Sequence, residues 1–286
     1  MEATAAEPLV SLVALRCRTS DRTAALVEGV DELAPLVGKR LGVEPRAIGS
    51  LSEPRAGAWK DDLRASRGCV LEAGGQVDDA LDAGRLPVLL AGDCSVAMTT
   101  LPTVARHRPD ARILWLDAHG DFNTPATTIS GYLSGMALAG ACGLWETGFD
   151  GAVAPERVVL AGVRELEPAE RDLVERSPVT VIGTSLETLV ATQNALDREP
   201  VYVHLDLDVL DPASFPAEFP APGGLAPDKL YDLFEAIAGE CEVVGLEVTA
   251  FCAPDDRVKR RAAARTASAA MEPLLEAVER GAHVRD

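Results

Sequence analysis

Short apolar runs alternate with amphipathic stretches from one end of this chain to the other. The runs PVLLAGD, RILWLD and PVYVHLD are apolar on both faces, as the buried strands of a parallel sheet are. The predicted strands are residues 9–15, 86–91, 112–117, 157–162, 179–183, 201–206 and 241–247. The predicted helices are residues 22–41, 61–83, 95–107, 133–144, 186–196, 227–238 and 257–278.

This alternation predicts an α/β fold, a three-layer α/β/α sandwich whose mainly parallel sheet carries helices on both faces. No linker, repeat or composition break divides residues 1–286, so one domain is predicted. No apolar run approaches the roughly 18 residues of a membrane span. The first apolar run follows Glu2 and Glu7 rather than a basic segment, which argues against a signal peptide. We therefore expect a cytoplasmic protein whose cysteines, which show no CxxC spacing, are reduced thiols.

The net charge of the chain disfavours some classes of binding partner. There are 45 acidic and 27 basic residues, a formal net charge of −18, which disfavours nucleic acid and anionic membrane surfaces. Metal ions and small cationic substrates remain as partners. Histidine is scarce, with four residues, so aspartate must provide most of the polar chemistry. The pattern does not distinguish a monomer from a homo-oligomer.

Polar residues follow four of the predicted strands. The segments are AGDCS at 91–95, LDAHGDFNTP at 116–125, HLDLDVLDP at 204–212 and GLEVTA at 245–250. In a parallel sheet the carboxyl ends of the strands meet at one edge, where ligands gather. A lone DxD motif is usually a solvated loop or a helix cap, but four such strand ends together favour a functional site.

Two of these segments carry polar triplets with a spacing of two residues. The triplets are Asp117, His119 and Asp121, and His204, Asp206 and Asp208. If each strand continues through its triplet, the three side chains point to one face. The four aspartates would then repel one another strongly unless cations lay among them. Two divalent metal ions, about 3.5–4 Å apart, are the arrangement that this pattern favours.

These motifs resemble those of the ureohydrolases, the arginases, agmatinases and their relatives. The family patterns GGDHS, DAHxD and SxDxDxxDP appear here as AGDCS, DAHGD and HLDLDVLDP, and residues 122–131 are similar to the arginase branch. The resemblance implies the arginase-type sandwich, two Mn²⁺ ions and hydrolysis of a guanidino carbon–nitrogen bond. The metal ligands that it implies are Cys94, Asp117, His119, Asp121, Asp206 and Asp208.

The resemblance also implies residues around a small cationic guanidino substrate. The substrate-binding positions are Asn123, Ser130, Tyr132, Ser134, Glu165, Glu167 and Glu170, and the catalytic positions are Asp121, His204 and Glu247. Asn123 and Ser130 match positions that hold the α-carboxylate of arginine, and Glu167 would stand near its α-amino group. Glu247 matches the carboxylate that pairs with the guanidinium. We interpret His204 as a residue that orients a metal ligand; the alternative is the acid that protonates the leaving amine.

Three positions depart from the family pattern. Cys94 replaces a metal-binding histidine, and its softer thiolate tilts the preference toward Zn²⁺ or Fe²⁺; the alternative is a buried filler beside a single metal. Ser134 replaces a histidine thought to act as general acid/base in arginases. A serine hydroxyl cannot protonate a leaving amine as an imidazolium does. Tyr132 replaces a substrate-binding asparagine.

The departures at Cys94 and Ser134 favour a guanidine less basic than that of arginine. In Nω-hydroxy-L-arginine the electronegative oxygen lowers the basicity, and hydrolysis gives L-ornithine and hydroxyurea. Residues 119–136 resemble the branch of the family that acts on this substrate in antibiotic biosynthesis. Two alternatives stay open: an ordinary arginase or another guanidino-substrate ureohydrolase that releases urea, and a non-catalytic regulator with the arginase fold.

Overall fold

The computed structural model describes residues 9–284, with side chains up to residue 281. Within this range the strands are β1 (Val10–Leu15), β2 (Arg46–Ile48), β3 (Leu86–Leu90), β4 (Arg112–Leu116), β5 (Val158–Val163), β6 (Thr180–Gly183), β7 (Val201–Asp206) and β8 (Val243–Thr249). The helices are α1 (Ala25–Leu41), α2 (Trp59–Asp82), α3 (Ala97–His107), α4 (Ala137–Ala141), α5 (Pro168–Arg176), α6 (Thr188–Leu196), α7 (Pro227–Glu240), α8 (Arg257–Ala270) and α9 (Glu272–Val284).

The predicted α/β architecture is confirmed: the strands form one parallel sheet in the order β2-β1-β3-β8-β7-β4-β5-β6. Alternate residues of each strand face opposite sides of this sheet. Leu114 and Leu116 of β4 pack into the core beneath α1 and α7 to α9. Ile113 and Trp115 pack into a second core beneath α3 and α4. Helices therefore cover both faces of the sheet.

The observed helices and strands differ from the predicted ones mainly where an element is short or rich in charged residues. The prediction missed β2, which is three residues long with two of them exposed, and α5, whose sequence PAERDLVER is mostly charged. The helix predicted at 133–144 is a 3₁₀ turn, Ser134–Met136, followed by the short helix α4. The helix predicted at 257–278 is two helices, because Pro273 in the first turn of α9 has no N–H to continue α8.

The order of the strands decides where the polar segments meet. β3, β8, β7 and β4 are consecutive in the sheet, and they are the four strands that polar segments follow. Their carboxyl ends form one continuous edge because all four strands are parallel. The sheet therefore gathers segments separated by up to about 150 residues of chain into a single region.

Two cysteines contradict the expectation of reduced thiols. Cys17, just after β1, forms a disulfide with Cys69 in α2, with the two Cα atoms 6.0 Å apart. The loop after β1 lies against α2 here, which brings the two apolar positions together. Cys94, Cys142, Cys241 and Cys252 are free thiols. The thiol expectation is therefore wrong for one pair.

We expect Cys17→Ser to lower the free energy of unfolding by about 2–4 kcal/mol, because the disulfide restricts the unfolded chain across a separation of 52 residues. Urea unfolding without reductant measures the change, and dithiothreitol brings the native protein to the stability of the variant. Cys241→Ser, at a half-buried free thiol, is the control and changes the stability by about 0.5 kcal/mol or less. Equal stability of the oxidised and reduced native protein would contradict the prediction.

The described residues include no helix that is long and apolar enough to span a membrane. The organisation of residues 1–286 as one domain stays a prediction.

Candidate metal centre

Two overlapping groups of side chains at the carboxyl edge of the sheet can each hold a metal ion. The first comprises Cys94, Asp117 and Asp121, and the second comprises Asp117, His119 and Asp208. Within each group the candidate donor atoms lie within 4.8 Å of one another. Asp117 belongs to both groups, as a carboxylate shared by two ions would. Asp206 lies beside the first group, with its Oδ2 atom 3.0 Å from Sγ of Cys94.

The structure brings the six predicted ligands together by a different route from the one expected. β4 ends at Leu116, so Asp121 lies in a loop, where it adopts φ of 47°. Asp208 lies in the 3₁₀ turn Leu207–Val209 that follows β7. Neither strand therefore continues through its triplet. A positive φ outside glycine is strained, and such strain is concentrated at functional sites.

Backbone N–H groups orient the carboxylates of this centre. Oδ1 of Asp208 accepts the N–H of Ala118 at 2.9 Å, which leaves Oδ2 of Asp208 2.8 Å from Nδ1 of His119. Oδ1 of Asp206 likewise accepts the N–H of Asp208 at 2.7 Å. In both residues one oxygen is fixed by the backbone and the second faces another candidate ligand. This arrangement preorganises the donors before any ion arrives.

The electrostatics of the group favour bound cations. Burial, together with neighbouring carboxylates, raises the pKa of Asp121 and of Asp206 well above the ordinary range. Burial and the charge of Asp117 raise the pKa of Asp208 to about 7. Burial opposes the charge of His119, but hydrogen bonds to Asp117 and Asp208 raise its pKa to about 12. Buried carboxylates in this number fit divalent cations, which would neutralise their charge and displace the proton from His119, because a histidine ligand is neutral.

A chain of buried contacts extends behind this centre from Cys94. Burial, followed by the charges of Asp206 and Asp121, raises the pKa of the Cys94 thiol well above its ordinary value. Sγ of Cys94 lies 3.2 Å from Nε2 of His204, whose Nδ1 lies 2.6 Å from Oε1 of Glu247. The imidazole is fully buried and stacks on the indole of Trp115, with ring centroids 3.6 Å apart.

This chain of contacts bears on the roles predicted for His204 and Glu247. His204 contacts a candidate ligand and does not line the cavity described below, which favours the ligand-orienting interpretation over that of a general acid. Glu247 is fully buried and also accepts the hydroxyl hydrogen of Tyr202 at 3.1 Å. Its pairing with a substrate guanidinium stays a prediction, since the carboxylate lies behind Cys94 and His204.

A cavity of about 420 Å³ opens onto the candidate metal centre. His119, Asp121, Asp206 and Asp208 line it on the side of the centre. The seven predicted substrate-binding residues all line it as well: Asn123, Ser130, Tyr132, Ser134, Glu165, Glu167 and Glu170. Seven further residues line the cavity, namely Arg22, Asp93, Gly135, Glu218, Phe219, Pro220 and Ala250. Four of them, Arg22, Glu218, Phe219 and Pro220, lie outside every polar segment that the sequence interpretation singled out. No motif marks these four, which come from two loops distant in the chain.

Two of the predicted substrate-binding carboxylates hold backbone groups in this structure. Glu167 accepts the N–H of Ile129 at 2.6 Å and the N–H of Ser130 at 3.1 Å. Glu170 accepts the N–H of Phe122 at 2.9 Å and the N–H of Glu167 at 3.0 Å, and burial raises the pKa of Glu170 to about 7. Both carboxylates thereby fix the loop that follows Asp121 against α5.

Comparison with known proteins shows similarity over nearly the whole chain. The model of the arginase family matches residues 58–277. An N(omega)-hydroxy-L-arginine amidinohydrolase from Streptomyces lavendulae is 35% identical over 269 residues, covering 94% of this chain and 98% of that protein. An arginase from Brevibacillus brevis is 32% identical over 218 residues, covering 70% and 73% of the two chains. The solved arginase structure from Bacillus caldovelox has a TM-score of 0.79 at 26% identity, covering 93% of this chain and 97% of that one.

Proposed function

Because this chain belongs to the arginase family, whose members are metal-dependent hydrolases of guanidino carbon–nitrogen bonds, we propose that it hydrolyses Nω-hydroxy-L-arginine to L-ornithine and hydroxyurea. One water is consumed. Its oxygen becomes the carbonyl oxygen of hydroxyurea, the bond between the guanidino carbon and the side-chain nitrogen breaks, and that nitrogen leaves as the amine of ornithine. The similarity to a hydroxyarginine amidinohydrolase over 94% of the chain supports this substrate.

The donor set fits two divalent cations, and we propose Mn²⁺. One ion would be held by Cys94, Asp117, Asp121 and Asp206, and the other by Asp117, His119, Asp206 and Asp208, with Zn²⁺ or Fe²⁺ as alternatives because of the thiol. When bound, such a pair supplies a water activated for attack on the guanidino carbon. The acidic lining of the cavity suits a small cationic substrate, with eight carboxylates among its residues.

The observation that carries the substrate assignment is the serine at position 134. Ser134 is buried in the cavity wall, and its Oγ accepts the N–H of Cys94 at 3.1 Å. The hydroxyl is therefore held beside the candidate metal ligand and cannot deliver a proton as an imidazolium could. His204 does not compensate, because it lies behind Cys94 and away from the cavity. A hydroxyguanidine is less basic than the guanidinium of arginine, so attack of water on its guanidino carbon needs less assistance.

We expect the Mn²⁺-loaded protein to prefer Nω-hydroxy-L-arginine to L-arginine by about a hundredfold or more in kcat/KM, the order of effect that one general acid contributes. Release of ornithine from each substrate, measured at equal enzyme and metal concentration, tests the prediction. Release of hydroxyurea in a one-to-one ratio with ornithine checks which bond is cleaved. A preference for L-arginine, with urea as the product, would identify an ordinary arginase and overturn the proposal.

A further inference from the structure

One wall of the cavity consists of Arg22, Tyr132, Glu218 and Phe219, called the Arg22–Glu218 wall below. The guanidinium carbon of Arg22 lies 4.6 Å from the centroid of the Tyr132 ring. The Tyr132 hydroxyl donates to Oε2 of Glu218 at 3.3 Å, and its ring meets that of Phe219 edge-on with centroids 4.9 Å apart. A buried tyrosine thus holds an exposed cation and a half-buried carboxylate on the same wall.

Among the described residues that line the cavity, Arg22 is the single arginine or lysine. Its N–H groups make no hydrogen bond to any residue in the described part of the chain, although the cavity is lined with carboxylates. A guanidinium has five N–H donors in a planar fork that matches a carboxylate in two-point contact. Stacking on Tyr132 restricts the plane of this fork while leaving its edge free for a ligand.

Glu218 differs from Glu167 and Glu170, two other glutamates of the cavity, in the groups that its carboxylate binds. Glu167 and Glu170 each accept two backbone N–H groups, whereas Glu218 accepts a hydrogen bond from Tyr132 alone among the described residues. The carboxylate of Glu218 therefore retains more acceptor capacity for an ammonium group. The next residue, Phe219, adopts φ of 52°, a strained conformation for an aromatic residue. Such strain persists where the surrounding structure holds a segment firmly.

The loop that carries Arg22 is fixed by buried polar contacts. Both the N–H and the hydroxyl of Ser20 donate to Oδ2 of Asp93, at 2.7 and 2.8 Å. Arg18 donates to the carbonyl of Asp21 at 2.8 Å and to Asp62 at 2.9 Å, and its side chain is buried. Arg22 therefore extends from a fixed backbone, which reduces the conformational entropy lost when a ligand binds.

We propose that the Arg22–Glu218 wall is the subsite for the amino-acid end of the substrate, with Arg22 binding the α-carboxylate and Glu218 binding the α-ammonium group. The inference rests on the proposed function in that the substrate is an α-amino acid whose far end reaches the metal centre. Asn123 and Ser130 remain neutral partners for the same carboxylate, to which Arg22 adds the charge. The wall then selects α-amino acids over guanidines that lack a carboxylate.

Binding of product analogues to the Mn²⁺-loaded protein tests each half of the subsite by calorimetry, without turnover. The three probes are L-ornithine, 5-aminopentanoate, which lacks the α-amino group, and 1,4-diaminobutane, which lacks the carboxylate. We expect Arg22→Met to lower the affinity for ornithine and for 5-aminopentanoate by about tenfold or more, the order of effect of one charge-assisted hydrogen bond. The same variant changes the affinity for 1,4-diaminobutane by less than about twofold.

Glu218→Gln gives the complementary pattern, because the amide oxygen still accepts from Tyr132 while the charge is lost. The affinity of this variant for ornithine and for 1,4-diaminobutane falls by about tenfold, and its affinity for 5-aminopentanoate does not change. Arg176→Met removes the same charge from an exposed position and is the matched control. The inference is overturned if either variant lowers the affinity for all three probes equally or for none of them. It is also overturned if the native protein binds ornithine and 1,4-diaminobutane with the same affinity. If these patterns appear but no guanidine is hydrolysed, the proposed function fails and the subsite stands.

Discussion

Asp208→Ala is expected to leave fewer than two metal ions per chain and to lower kcat/KM by about a thousandfold or more, equivalent to about 4 kcal/mol of transition-state stabilisation. Asp208 lies in the group with Asp117 and His119, and its Oδ2 faces His119 at 2.8 Å. Removal of this carboxylate takes away a proposed ligand and leaves the N–H of Ala118 without its acceptor. Elemental analysis of protein loaded with excess Mn²⁺ measures the metal content, and ornithine release measures the activity.

The controls separate a lost ligand from a lost charge. Asp172→Ala removes a carboxylate whose side chain is 67% exposed and keeps both ions and full activity. Cys94→Ala probes the other group and lowers the affinity for one ion if the thiolate is a ligand. Two firmly bound ions and normal turnover in Asp208→Ala would refute the assignment of the second group.

Glu247→Ala is expected to lower the free energy of unfolding by about 3–5 kcal/mol, because it leaves two buried groups without their hydrogen-bond partner and creates a cavity. Glu247 is fully buried, and its carboxylate is the partner of both His204 and Tyr202. Its loss leaves the imidazole and the phenol hydroxyl without acceptors in the core. Urea unfolding of the metal-free protein isolates this effect, because metal binding then makes no contribution to stability.

Two further variants make this measurement specific. Glu247→Gln retains an acceptor for His204, so we expect a loss of about 1–2 kcal/mol. Glu235→Ala, on the exposed face of α7, changes stability by about 0.5 kcal/mol or less. If Glu247→Gln instead raises KM for the substrate and leaves the unfolding midpoint unchanged, the carboxylate binds the guanidine, as the resemblance to the family implies. A normal unfolding midpoint in Glu247→Ala would show that the buried chain of contacts does not stabilise the fold.

The comparisons favour the two enzymatic hypotheses over the hypothesis of a non-catalytic regulator. Membership of a family of hydrolases identifies the chain as an enzyme, and the buried carboxylates of Asp121, Asp206 and Asp208 are costly to retain without cations. Whether the substrate carries an N-hydroxyl group is decided by the chemistry around Ser134 and Cys94. The proposal that the substrate is Nω-hydroxy-L-arginine rather than arginine therefore rests on the side chains of Ser134 and Cys94, and the fold does not distinguish the two substrates.

The sequence predictions fail or are silent mainly for contacts between residues that are distant in the chain. The pairing of Cys17 with Cys69 depends on how the loop after β1 lies against α2, which no local pattern encodes. The contact of His204 with Cys94 joins residues 110 positions apart. Asp121 reaches the centre through a left-handed loop conformation rather than by extension of β4.

The sequence by itself determined the α/β class, the candidate metal-ligand motifs and their place after the strands. These features follow from local periodicity and from the fact that parallel strands share one carboxyl edge. Only the tertiary structure decided which ligands form each group, that Glu247 lies behind Cys94, and that Arg22 and Glu218 meet at one wall. These outcomes depend on the packing of loops distant in the chain, and loop packing leaves no periodic signal in the sequence. The structure thus directs the question of substrate specificity from the motifs at the strand ends to the two loops that carry Arg22 and Glu218.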